Sequence, residues 1–295
     1  MAGFKHYPVL WREVLRLIQS KVNTSPFLVA DCTLGGGAHT YSILQRFPEA
    51  YVVGVDVDQE AVARSVQNTQ DFSSRMSAFH CSYTDLFDLP RFPGIFGPHK
   101  RFDVVLADCG MSSYQLEDSQ RGFSYTLTGP LDMRFNQQVT PTAETVLNEA
   151  SEFELQQILQ VFGEETQAQT LAAAVVDARQ QRRLTQTSDL AAVLRGKRLS
   201  IQALARCFQA FRMYVNQEQA NLEKLLDKAY DQIEPGGMFL GISFHSIEHR
   251  IIQRAFQQWR LSGASKILSF KPTRQEIEEN VRSRSAVLQA FLKRK

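Results

Sequence analysis

The sequence predicts an α/β fold, an open and mostly parallel sheet interrupted by a block of helices. Three observations predict it. Apolar runs end in an acid at Asp31, Asp56 and Asp108, the pattern of strands buried on both faces whose carboxyl ends open on a ligand. A glycine cluster, Gly35-Gly36-Gly37, follows the first of these acids. The spacing then turns helical over 142–196 before another apolar run at 238–244, which reads as a helical insertion in the α/β domain.

Taken in order, Pro8 to Ser20 carries Val9, Leu10, Val14, Leu17 and Ile18 at helical spacing, with His6 in an extended lead. Residues 28–31 read as a first strand, and the glycine turn leads into a helix. Residues 51–56 form a second strand, and Val62 and Val66 mark the helix after it. Residues 76–80 and 102–108 read as the third and fourth strands, with a turn or short helix at 83–87 and a Pro/Gly loop at 90–98. From Gly110 to about Asn136 periodicity fades into a long loop rich in Ser, Gly, Asp and Arg, of the kind that carries function.

In the helical block, Leu155, Ile158, Leu159 and Phe162 share one face and Leu171, Ala174, Val175 and Ala178 another, and Thr187 is placed to cap a helix through Leu194. Residues 144–165 hold six Glu and no Lys or Arg, whereas 177–198 hold Arg179, Arg182, Arg183, Arg195, Lys197 and Arg198 against Asp177 and Asp189. An amphipathic helix over 216–233, a Pro-Gly-Gly stop, a strand over 238–244 and a helix to about Trp259 follow. Residues 271–295 hold seven Lys or Arg against three Glu. The domain boundaries expected are 1–115 and 206–295 for the sheet domain and 116–205 for the insertion.

At 295 residues, 43% hydrophobic and 22% charged, the chain has the composition of a globular enzyme. Its net charge of +2 excludes a global basic field, so a nucleic acid would be held by local clusters. The four cysteines form no C-x-x-C pair and read as reduced, mostly buried thiols, with no metal site expected. No apolar run is long enough for a membrane helix, and the amino-terminal segment has neither a secretory nor a transit-peptide pattern. A cytoplasmic protein is expected, or a mitochondrial-matrix one if a transit peptide has been removed.

The strict dinucleotide fingerprint fails, because Thr40 stands where its third glycine would be. Asp31, Gly35 and Gly37 instead fit the spacing E/D-x-G-x-G-x-G with Thr33 at the first glycine. That spacing favours S-adenosylmethionine, which has no pyrophosphate and needs a close backbone turn and an acid for its ribose. Asp56 lies 19 positions after Gly37, where such an acid belongs.

Asp108-Cys109-Gly110-Met111-Ser112-Ser113-Tyr114-Gln115-Leu116, Arg121-Gly122-Phe123-Ser124 and Gly129-Pro130-Leu131-Asp132-Met133-Arg134 resemble the signature of the RsmH (MraW) family. So do His6-Tyr7-Pro8-Val9-Leu10, Phe208-Gln209-Ala210-Phe211-Arg212, Ser243-Phe244-His245-Ser246-Ile247-Glu248 and Arg282-Ser283-Arg284-Ser285-Ala286. The resemblance implies a Rossmann-like class I methyltransferase sheet with a helical substrate-recognition insertion. It further implies methylation of N4 of a cytidine in small-subunit ribosomal RNA, with that RNA or the small ribosomal subunit as partner; a homodimer is left open.

By motif position it places cofactor contacts on Gly37, Ala38, His39, Asp56, Tyr83, Asp108 and Gln115, with Gly35 added from the turn. Asp108 would also orient the amine, and Ser112 and Ser113 would touch the base. Arg121, Asp132, Arg134, Arg212 and His245 are the candidates for substrate contact, with Asp132 or Arg134 ordering the loop, and the basic segments 177–198 and 271–295 for phosphate contact. The chain departs from the family pattern at Ala38, Tyr83, residues 201–205, His249 and Val281. The departures at 201–205 and His249 motivate a rival reading, a non-catalytic RNA-binding factor in ribosome assembly. The zinc-deaminase signature and the G-x-S-x-G hydrolase elbow are both absent.

Overall fold

The computed structural model describes residues 7–20, 26–90, 92, 95–96, 100–261, 263 and 265–294. His6 and most of the expected 90–98 loop lie outside them. In chain order come α1 (Trp11–Gln19), β1 (Phe27–Asp31), α2 (Ala38–Arg46), β2 (Ala50–Asp56), α3 (Gln59–Asn68), β3 (Met76–His80) and β4 (Phe102–Asp108). Then follow α4 (Ser113–Glu117), α5 (Ala143–Glu149), α6 (Glu152–Gly163), α7 (Ala168–Gln181), α8 (Thr187–Arg195) and α9 (Ile201–Val215). The chain closes with α10 (Glu218–Gln232), β5 (Ile233–Ser243), α11 (Ser246–Leu261), β6 (Ser265–Phe270), α12 (Arg274–Glu279) and β7 (Val287–Lys293).

These elements form two compact units, Met1–Gly110 with Gln219–Lys295 and Met111–Glu218. The first holds a sheet in the order β3-β2-β1-β4-β5-β7-β6. β1 to β5 are parallel, and β7 runs antiparallel between β5 and β6. β1 is buried along its whole length, which is why its sequence is a continuous apolar run and not an alternating one. One face is covered by α1 and α2 through Val14, Leu17, Ile18, Ile43 and Leu44. Elsewhere in this unit Phe239, Phe256, Trp259 and Phe291 pack ring on ring at 5.1–5.8 Å, in edge-on and tilted arrangements that favour aromatic pairs.

The second unit is built on α5 to α9, with Leu155, Leu159, Leu171, Val175, Leu190, Phe208 and Phe211 in its core. The boundaries therefore shift from 115/116 and 205/206 to 110/111 and 218/219. The reason is α9, whose Leu204, Cys207, Phe208 and Phe211 are buried in the insertion core. Arg206 also donates to Glu165 at 2.6 Å. Thr187 does not cap α8. It is the first helical residue, and its hydroxyl donates to Leu127 O at 2.6 Å while accepting from Gly129 N at 3.1 Å. Gln186 and Asp189 form the capping box instead.

Three details of the first unit complete the sheet domain. α3 is the helix expected, with Ala61 and Ser65 buried, Val62 half-buried and Val66 exposed. β5 begins at Ile233 and runs through Pro235-Gly236-Gly237, with a register shift opposite Phe102 and Val104. The carboxyl-terminal basic segment is largely structural: Val287–Lys293 is a strand, and Lys293 donates to Tyr230 O at 2.7 Å and Ile233 O at 2.9 Å. No helix among the described residues is long and apolar enough to cross a membrane.

Candidate active site

The parallel strands bring the carboxyl ends of β1, β2 and β4 to one rim, with Asp31 beside Gly54 and Leu106 in register. Asp31 is buried. Its carboxylate accepts the Thr40 hydroxyl at 2.6 Å and the Thr33 backbone N–H at 3.2 Å. So Thr40, which breaks the dinucleotide fingerprint, locks α2 onto β1. Thr33 then reaches across the sheet, its hydroxyl accepting the Asp108 backbone N–H at 2.6 Å. Gly37 caps α2 at φ 81°, a conformation that favours glycine. A Cβ there would also lie 3.1 Å from that of Ser65.

Asp56 closes the turn from the other side. Its Oδ2 accepts the Gly35 N–H at 2.8 Å and its Oδ1 the Asp58 N–H at 2.9 Å. Each oxygen keeps lone-pair capacity for one more donor, which suits a ribose diol. Across the rim, His39 Nε2 lies 3.4 Å from Asp108 Oδ2. The contact makes no hydrogen bond, and His39 Nε2 and the other carboxylate oxygen, Asp108 Oδ1, are both buried polar atoms without a hydrogen-bond partner. Such atoms are costly unless something satisfies them. With the Asp56 acceptor pair and the glycine turn, they fit a cationic, ribose-bearing donor such as S-adenosylmethionine. Tyr83 is half-buried in the turn after β3, at the same end of the sheet. Among the described residues, no three His, Cys, Asp or Glu side chains cluster to hold a metal ion.

Burial raises the Asp31 carboxyl above its usual range and pushes Asp56 up to about 6, against the hydrogen bonds that favour its charged form. A ribose diol donates to the ionised carboxylate. Donor affinity is therefore full above pH 6 and falls as the pH drops through it, by about tenfold at pH 5. Calorimetric titration of S-adenosylmethionine across pH 5–8 measures this, and Asp56→Asn is expected to bind weakly with a flat profile.

The residues expected from the loop and insertion fall in the second unit, and most of them are engaged within it. Ser112 caps α4: its hydroxyl accepts Gln115 N–H at 3.2 Å while Gln115 Oε1 accepts Ser112 N–H at 2.9 Å. A helix-capping box thus occupies the side chains expected to touch base and cofactor. Ser113 is the first residue of α4 and half-buried. Arg121 is buried and donates to Arg134 O at 3.0 Å and Phe135 O at 2.9 Å. Asp132 and Arg134 pair two-pronged with each other at 3.0 and 2.6 Å.

Arg212, expected on a phosphate, pairs two-pronged with Glu218 at 2.8 and 3.0 Å. In the basic segment 177–198, Arg179 donates to Leu147 O, Arg182 pairs with Asp189 and Arg183 with Glu144. Arg195, Lys197 and Arg198 remain exposed. Arg212→Ala is accordingly expected to cost about 3 kcal/mol in urea unfolding, because it strands the largely buried Glu218 carboxylate. The salt dependence of RNA binding should not change, as it would if Arg212 touched phosphate.

His245, in the first unit, follows β5. Its Nε2 lies 3.1 Å from Glu248 Oε1, and Glu248 Oε2 accepts the Phe244 N–H at 2.8 Å. Glu248 is the buried acid that fixes this corner, a role a motif does not reveal.

The family model described as the MraW methylase family matches residues 3–294. The chain is similar to the ribosomal RNA small subunit methyltransferase H of Thermotoga neapolitana, at 39% identity over 98% of this chain and 97% of the relative. It is also similar to proteins of that name from Persephonella marina, at 34% over 96% and 97%, and Elusimicrobium minutum, at 37% over 98% of each.

Proposed function

Because the chain belongs to the MraW methylase family, and is thus an S-adenosylmethionine-dependent methyltransferase, we propose that it methylates N4 of a cytidine in small-subunit ribosomal RNA. One observation carries the proposal: Asp108 at the carboxyl end of β4, with Oδ1 buried and unpartnered beside the glycine turn. An exocyclic cytosine amine is a poor nucleophile, because its lone pair is delocalised into the ring. Asp108 Oδ1 accepts a hydrogen bond from that amine and holds it in one orientation, which supplies several kcal/mol of the barrier by positioning. The bond to Thr33 fixes the Asp108 backbone, and His39 stands against the second carboxylate oxygen. The donor supplies the sulfonium-activated methyl group.

The substrate is a splayed-out nucleotide, since the amine of a paired cytosine is engaged. The test is mass spectrometry of small-subunit RNA after incubating unmodified subunits with the purified protein and S-adenosylmethionine. N4-methylcytidine at one position is the expected product. Methylation of another atom, or none, would overturn the proposal. Loss of subunit assembly with no change in that mark would favour the rival assembly factor.

A further inference from the structure

We infer that the first unit carries a phosphate subsite for the RNA strand, in a pocket of about 380 Å³ where β5, β6 and β7 converge; the inference rests on the RNA-methylating reading above. β5 and β6 are both antiparallel to β7, so their carboxyl ends meet its start. β5 is also parallel to β4, with Ile242 opposite Asp108. The pocket therefore opens on the same rim as the acids. Phe244 joins the two places. It lines the pocket, and its ring edge would lie 3.4 Å from a Cβ on Gly110, two residues after Asp108.

The lining chemistry is that of an anion site. It presents Lys271, the His249 imidazole and hydroxyl groups at Ser246, Ser269 and Ser285, with no Asp or Glu among the lining residues, while His245 turns both ring nitrogens towards Glu248. Glu248, on the same helix as His249, is engaged by Phe244 N–H and by His245. His249 adds an independent sign: its Nδ1 is buried with no hydrogen-bond partner. The pocket also adjoins the start of α11, sixteen residues long, whose dipole favours negative charge there. Donors without a carboxylate, on the same rim as the residue proposed to hold the target amine, suit a backbone phosphate flanking the flipped nucleotide. Such a contact sets register and carries no sequence information.

The probes are unmodified small ribosomal subunits and inorganic phosphate. Lys271 is exposed, so its substitution leaves the fold intact. Lys271→Ala is expected to raise KM for the subunit several-fold and to reduce the slope of log affinity against log salt by about one. Lys271→Glu should be worse and Lys271→Arg close to wild type, all three with unchanged S-adenosylmethionine affinity. If the wild type methylates the subunit and Lys271→Ala keeps its KM and salt slope, the subsite is wrong while the function stands. If inorganic phosphate binds in a Lys271-dependent way and the salt slope for RNA is unmoved, the pocket serves a free anion and the inference fails. If the wild type leaves the subunit unmethylated, both readings fall.

Discussion

Asp108→Ala is expected to lower the single-turnover rate of methyl transfer about a thousandfold, the range over which a group that acts in the transition state is felt. The effect falls on rate because the other two acids of the rim already hold protein donors, and the spare capacity of Asp56 faces the donor ribose. Asp31 is engaged by Thr40 and Thr33, and Asp56 by Gly35 and Asp58. Asp108 Oδ1 alone among these oxygens is buried without a partner. The substitution keeps the bond from the Asp108 backbone N–H to Thr33, so β4 and the melting temperature should hold. Asp108→Asn keeps the shape and offers one neutral acceptor, and it should fall between alanine and wild type. Labelled donor and unmodified subunits give the rate, and calorimetry gives donor affinity. A rate within about fivefold of wild type would make Asp108 a loop residue and remove the mechanism built on it.

The sheet was legible because a strand buried on both faces writes its burial directly into sequence. Residues 102–108 emerge with the bounds read from the apolar run, residues 76–80 emerge as the strand expected although only Met76 of it is buried, and the three acids fall on one rim as their strand-end positions require. In α3 the inward positions are Ala61 and Ser65, and a Cβ on Gly37 would come within 3.1 Å of that of Ser65, a close approach that no hydrophobic stripe records. Leu288, Ala290 and Phe291 make β7 a buried strand, which the excess of basic residues over 271–295 does not show.

Charge was the weakest guide at the candidate site. A sequence shows that Arg121, Arg134 and Arg212 are cations but not whom they meet. Their partners are two backbone carbonyls, an acid two residues away and an acid six residues away, outside the three- and four-residue spacing by which helical ion pairs are recognised. Thr33 and Thr40 were equally silent, since both stood at positions where glycine was sought.

The largest structural effect is expected at Gly122 and Gly129. The arms 119–122 and 129–132 of the long loop touch backbone to backbone. A Cβ at Gly122 would fall 2.1 Å from Pro130 O, and one at Gly129 1.7 Å from Ser119 O. No rotamer relieves a clash with a carbonyl, so alanine at either place must part the arms. Gly122 also sits at φ 70°, which adds backbone strain for any side chain. Parting them breaks the bond from Met133 N–H to Arg121 O at 3.0 Å and, for Gly129, the exchange with Thr187 that ties the loop to α8. About 3 kcal/mol or more is expected for each. The loss should localise, because the glycine turn, Asp56 and Asp108 belong to the first unit. Hydrogen exchange should show residues 119–135 unprotected, and methyl transfer should fall at least about a hundredfold through lost positioning. S-adenosylmethionine binding should persist. Unchanged protection in either variant would mean that the arms do not meet in solution, and the ordered loop that follows Asp108 would lose its physical basis.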